Sequence, residues 1–172
     1  VGMSSTNIDV FEASRTGNSA GIAQLVTEEG RIHNVTTRDK DGYTPVHVAA
    51  REGHVVVIKL LVAHGAEVNS FDGDVYFGVT PLYMAAVEGQ VEAINVLMEH
   101  GADVDLTGEV CYTPLFISAM EGDYVVANVL LKHGAGVNTP NQDGQTPLLA
   151  ASSLGFDRVV TLLIEHGADV DA

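Results

Sequence analysis

Four short stretches carry side chains that could do chemistry. Ser19 stands in GNSAG (17–21), the G-x-S-x-G spacing that can expose a nucleophilic serine on a strained strand-to-helix turn. Asp72 and Asp74 alternate in DGDVYFG (72–78), as the first oxygen ligands of a calcium loop would. His64, His100, His133 and His166 recur at one position of a repeated pattern, and imidazole is a good zinc ligand. Cys111 is the single thiol.

None of them has the setting its chemistry needs. Ser19 sits between two helical patterns, with no strand before it, so the spacing is coincidental. A calcium loop of this type wants Asp or Asn at its fifth place, Gly at its sixth and Glu at its twelfth. Those places hold Tyr76, Phe77 and Tyr83. Stacked helices lie about 8–10 Å apart, whereas nitrogens sharing one zinc at about 2.1 Å cannot be much over ~4 Å apart. The histidines therefore cannot share an ion, and they suit helix C-termini, where a polar ring meets the last carbonyls. Cys111 has no HC or CxxC partner and reads as a small hydrophobe in a reducing, intracellular setting, cytoplasmic with the nucleus possible. No HExxH, P-loop or dinucleotide fingerprint occurs. The sequence thus offers no catalytic residue, no metal ligand set and no cofactor site.

The organising feature is a period. Thr-Pro dipeptides begin at Thr44, Thr80, Thr113 and Thr146, spaced by 36, 33 and 33 residues. Aligned on them are TPVHVAAREGHVVVIKLLVAHGAEVN (44–69), TPLYMAAVEGQVEAINVLMEHGADVD (80–105), TPLFISAMEGDYVVANVLLKHGAGVN (113–138) and TPLLAASSLGFDRVVTLLIEHGADVD (146–171). Self-similarity at such a period signals stacked repeats. Thr caps a first helix and Pro at N1 is preset for it. That helix ends at Gly53, Gly89, Gly122 or Gly155, and a second ends at Gly65, Gly101, Gly134 or Gly167, where glycine can turn left-handed. Small pairs such as Ala49-Ala50 and Ala85-Ala86 let neighbours approach closely. Helices this short are marginal alone, so stacking must stabilise them.

TPVHVAA, the HG helix end and GAEVN resemble the ankyrin repeat family. The resemblance covers residues 7–172 and implies an all-α solenoid of helix-turn-helix units joined by hairpin-like fingers. Units are expected at 7–39, 40–72, 73–107, 108–140 and 141–172. The first resembles a capping unit, with helices over 10–17 and 20–30 and Asp9, Glu12 and Arg15 on its outer side. Val1-Gly2 before Met3 reads as a cloning remnant, and residues 1–6 as a disordered lead. Only His47 keeps the histidine that the family places after Thr-Pro; Tyr83, Phe116 and Leu149 replace it. Cys111 stands where the family's finger usually has Gly. The last unit bears Leu162, Leu163 and Ile164 with no polar cap after it, so the array reads as cut short, or as weakly self-associating through that end.

The family resemblance implies a protein-interaction module without catalysis of its own, binding through the concave face and the fingers. Matching positions are Tyr43, Arg51 and Glu52; Val79, Val87 and Glu88; Tyr112, Met120 and Glu121; Gln145, Ser153 and Leu154. Glu52, Glu88 and Glu121 should form an acidic ladder beside apolar Val79, Val87, Tyr112, Met120 and Leu154, which suits a partner with apolar anchors and basic flanks. The other readings are a targeting or scaffold arm of a larger enzyme or channel, and a structural spacer. Net charge is −15, with −1 over residues 1–59 and −14 over 60–172. Such a surface repels nucleic acid and steers in basic proteins. The longest apolar runs are far too short for insertion into a membrane.

The first spacing is three residues longer than the others, and the excess lies within 70–79. Phe71, Tyr76 and Phe77 there form either a binding lip or packing that fills the gap. The resemblance also marks Asn69, in LVAHGAEVN, as a substrate for an asparaginyl hydroxylase.

Overall fold

The computed structural model describes residues 8–26, 32, 34–73, 78–108 and 111–171. Ten helices pair into five units: α1 Val10–Thr16 with α2 Ser19–Gln24, α3 Pro45–Arg51 with α4 Val55–Ala63, α5 Pro81–Val87 with α6 Val91–Glu99, α7 Pro114–Glu121 with α8 Tyr124–Lys132, and α9 Pro147–Leu154 with α10 Asp157–Glu165. Among the described residues there is no strand, only an isolated Val26–Ile32 bridge. The first helices stack as one row, α1-α3-α5-α7-α9, and the second helices as another, α2-α4-α6-α8-α10.

The caps follow from the sequence. Thr80, Thr113 and Thr146 hydroxyls accept the N–H of Tyr83, Phe116 and Leu149 at 3.1, 3.0 and 3.3 Å. In the last four units the chain leaves the second helix through a left-handed glycine. The following alanine returns its N–H to the last turn, as in Ala66 to Leu61 O at 2.9 Å and Ala102 to Leu97 O at 3.0 Å. These alanines are buried with the layer between the rows, built from Ile58, Leu61, Ile94, Leu97, Leu130 and Leu163. Each such side chain contributes about 1.5–3 kcal/mol by leaving water. Ala49, Ala85, Ala119 and Ala151 are fully buried where first helices touch. A longer side chain there would force the row apart.

Side chains stitch neighbouring units together. Asn69 donates to Gly101 O at 3.1 Å and accepts from Asp103 N at 2.9 Å. Asn138 repeats this with Gly167 O and Asp169 N. At the same position Asp105 accepts from Gly136 N with both carboxylate oxygens.

Two expectations need correction. The second helix of the first unit was expected over 20–30, yet it closes at Gln24. Leu25 and Val26 turn their N–H groups back to Ile22 and Ala23, and Val26 then bridges to Ile32. In the last unit Leu162 and Leu163 face the preceding layer and are buried, so the open apolar residues are Leu149, Leu154, Ile164 and Val170.

Candidate functional site

The fingers are built on one device. In the first, Asp39 N–H donates to Tyr43 O while the Asp39 carboxylate takes Tyr43 N–H, both at 2.9 Å. Asn141 and Gln145 repeat the pair at 2.9 Å. In the enlarged finger Asp72 closes on Val79: its N–H reaches Val79 O at 2.9 Å and its carboxylate takes Val79 N–H at 3.2 Å. The same closure now spans seven residues instead of four, so the three extra residues lie between Asp72 and Val79. The third finger lacks the side-chain acceptor, because Gly108 occupies that place, and Cys111 N–H donates to Gly108 O at 3.1 Å. Cys111 has φ +54°, in line with Gly42 and Gly144 at the same place in their fingers.

The base of the enlarged finger is held from below. Arg38 Nη1 donates to Gly42 O and to Phe71 O, and Gly73 N–H donates to Gly42 O at 2.9 Å. His47, fully buried, donates from Nε2 to Val79 O at 3.0 Å. A carbonyl only accepts, so the proton is on Nε2, and Nδ1 accepts Thr44 N–H at 3.2 Å and the Thr44 hydroxyl at 2.8 Å. Burial lowers the His47 pKa to about 4. Phe71 is part-exposed at 37 %; Tyr76 and Phe77 lie outside the described residues.

On the first-helix face Val87, Met120 and Leu154 are exposed at 41, 37 and 54 %. Glu88 and Glu121 beside them are exposed and make no ion pair among the described residues, while Arg51 Nε contacts Glu52 Oε1 at 3.1 Å. Tyr43, Val79 and Tyr112 are half-buried at the finger ends, and Gln145 and Ser153 are exposed. The Tyr112 ring stacks on Phe116 at 5.2 Å, and Tyr43 leans on His47 at 5.8 Å.

Tyr83 belongs to this group, although sequence reading treated it only as a replaced histidine. Its phenol is raised by burial first, then by Tyr112, Glu121 and Tyr43, so it lies within electrostatic reach of all three. Tyr43 is raised by burial and then Asp72, with Arg51 opposing. The missed signal was alignment: Tyr83 occupies the His47 and Phe116 position, one step inward from the finger-end tyrosines.

The histidine series divides. His64, His100 and His166 donate from Nδ1 to the carbonyls of Leu60, Val96 and Leu162 at 2.7–2.9 Å, in their own last turns. His133 instead contacts Asn95 Oδ1 across to the previous unit at 2.9 Å. Among the described residues no three His, Cys, Asp or Glu side chains converge on a metal-sized site. Both ends of the Asn69 amide are committed to the next unit.

The family model for ankyrin repeats (3 copies) matches residues 10–108 and 106–172. The chain belongs to the ankyrin repeat family. No curated protein matches it. Ankyrin repeats generally serve as protein-protein interaction modules. No helix among the described residues is long and apolar enough to cross a membrane.

Proposed function

We propose that this ankyrin array holds a partner protein or peptide with apolar and basic residues on its first-helix face and finger rim, and catalyses nothing itself. One observation carries the reading. Val87, Met120 and Leu154 are exposed at adjacent positions of successive units, on a chain of net charge −15. Beside them stand Glu88 and Glu121, which no cation pairs among the described residues. Adjacent exposed apolar residues edged by charge are characteristic of interaction surfaces. The open Leu149, Ile164 and Val170 support a separate, weak association of copies through the last unit. A monomer in sedimentation equilibrium at every accessible concentration contradicts that second point.

The test of the main reading is selection of displayed random peptides, followed by binding to a Val87→Lys/Met120→Lys variant. Both positions are exposed, so the thermal midpoint should hold while the selected peptides lose binding. Peptides that bind the variant as well as the wild type would show that this face is not the site.

A further inference from the structure

The second unit shows what a cation does on this face. Arg51 lies against Glu52, within electrostatic reach of Tyr43. The next two units keep the carboxylate but not the cation: Glu88 and Glu121 have Val87 and Met120 in the Arg51 position, and the Tyr43 place holds Val79 in the one and Tyr112 in the other. In the last unit the carboxylate position itself becomes Leu154, 54 % exposed. The face therefore reads, unit by unit, as filled, open to a cation, open to a cation, and apolar.

Neighbouring helices are spaced by about 8–10 Å, and an extended chain advances about 3.3 Å per residue, so three residues match one unit. We infer, on the reading above, that the bound segment is extended and presents two cationic side chains three residues apart, with an apolar residue three further along. The first cation meets Glu88, the second meets Glu121 where Tyr83 and Tyr112 lie within reach of it, and the apolar residue covers Leu154. The aliphatic stems of the cationic side chains lie on Val87 and Met120, as long basic side chains do on apolar surface. Arginine suits the second place better than lysine, because its flat guanidinium can pair with Glu121 while stacking on a ring.

The test uses fluorescein-labelled peptides and anisotropy. One carries the order Arg-x-x-Arg-x-x-Leu, a second the reverse order, and a third the same composition with the arginines adjacent. One of the two spaced peptides should bind about tenfold tighter than the adjacent-arginine control, a difference of ~1.4 kcal/mol. Glu88→Gln and Glu121→Gln should each weaken it by up to about fivefold and flatten its salt dependence, the upper size of one surface ion pair. Leu154→Ser should weaken it but spare a peptide lacking the leucine. Equal binding of spaced and adjacent peptides, indifference to both glutamate changes, or no binding of either spaced peptide overturns the register. If Val87→Lys/Met120→Lys still abolishes binding in the first two cases, only the register has failed and the face remains the site. If binding survives that double change, the face reading fails with it.

Discussion

Replacing His47 with phenylalanine should remove a specific piece of the pH dependence of stability. The imidazole is fully buried, and its two nitrogens are committed to Val79 O and to the N–H and hydroxyl of Thr44. Burial is the main reason its pKa falls to about 4; the Arg38 charge lowers it further, while Asp39 and backbone carbonyls oppose. An unfolded histidine takes up its proton near pH 6.5. Between pH 6.5 and about 4 the unfolded chain thus binds one proton that the native chain refuses, and stability falls as pH falls through that window. From pH 7 to pH 5 this one residue should cost about 2 kcal/mol. Phenylalanine occupies the equivalent place in another unit, where Phe116 is 1 % exposed, so the ring fits the site. His47→Phe loses the hydrogen bonds to Val79 and Thr44 and should be the less stable protein at pH 7. Its deficit should then shrink by about 2 kcal/mol at pH 5, or about 1 M in urea midpoint for a slope near 2 kcal/mol/M. Urea unfolding followed by circular dichroism at both pH values reads this directly. Equal losses in wild type and variant would show that His47 is not the buried, neutral group described.

Two further outcomes follow from departures within the repeat. Cys111→Gly should raise stability by about 1 kcal/mol, since a non-glycine residue at φ +54° carries a left-handed penalty that glycine avoids; an unchanged or lower thermal midpoint contradicts this. Asp105→Asn should raise the midpoint at pH 7, because burial lifts the Asp105 pKa and penalises its charge, while asparagine already fills this position at residues 69 and 138. The sign reverses the His47 case: a carboxyl whose folded pKa is raised regains stability as pH falls through that value, so the advantage of the Asp105→Asn variant should fade in acid. A constant difference between pH 7 and pH 3.5 would rule that cause out.

The repeat, its helix starts and its helix ends were legible in the sequence because they rest on local chemistry. Thr-Pro caps, the glycine exits and the spacing of Leu, Ile and Ala act within a turn or two of chain, and each recurs four times. Even the three-residue insertion could be placed to within ten positions by counting. What counting could not show is that Asp72 and Val79 preserve the finger's closure around it, since that depends on a carboxylate meeting an N–H seven residues away. The division of the four histidines was equally hidden: His133 turns to Asn95 in another unit, a contact that no local pattern encodes. Along the first-helix face the sequence supplied Glu52, Glu88 and Glu121 as a series but not the neutralisation of one of them by Arg51, nor the approach of Tyr83 to Tyr43, Tyr112 and Glu121. Local propensity and period decide which elements form. Which side chains meet, and which charges remain for a partner, is decided only when stacking brings together residues some thirty positions apart.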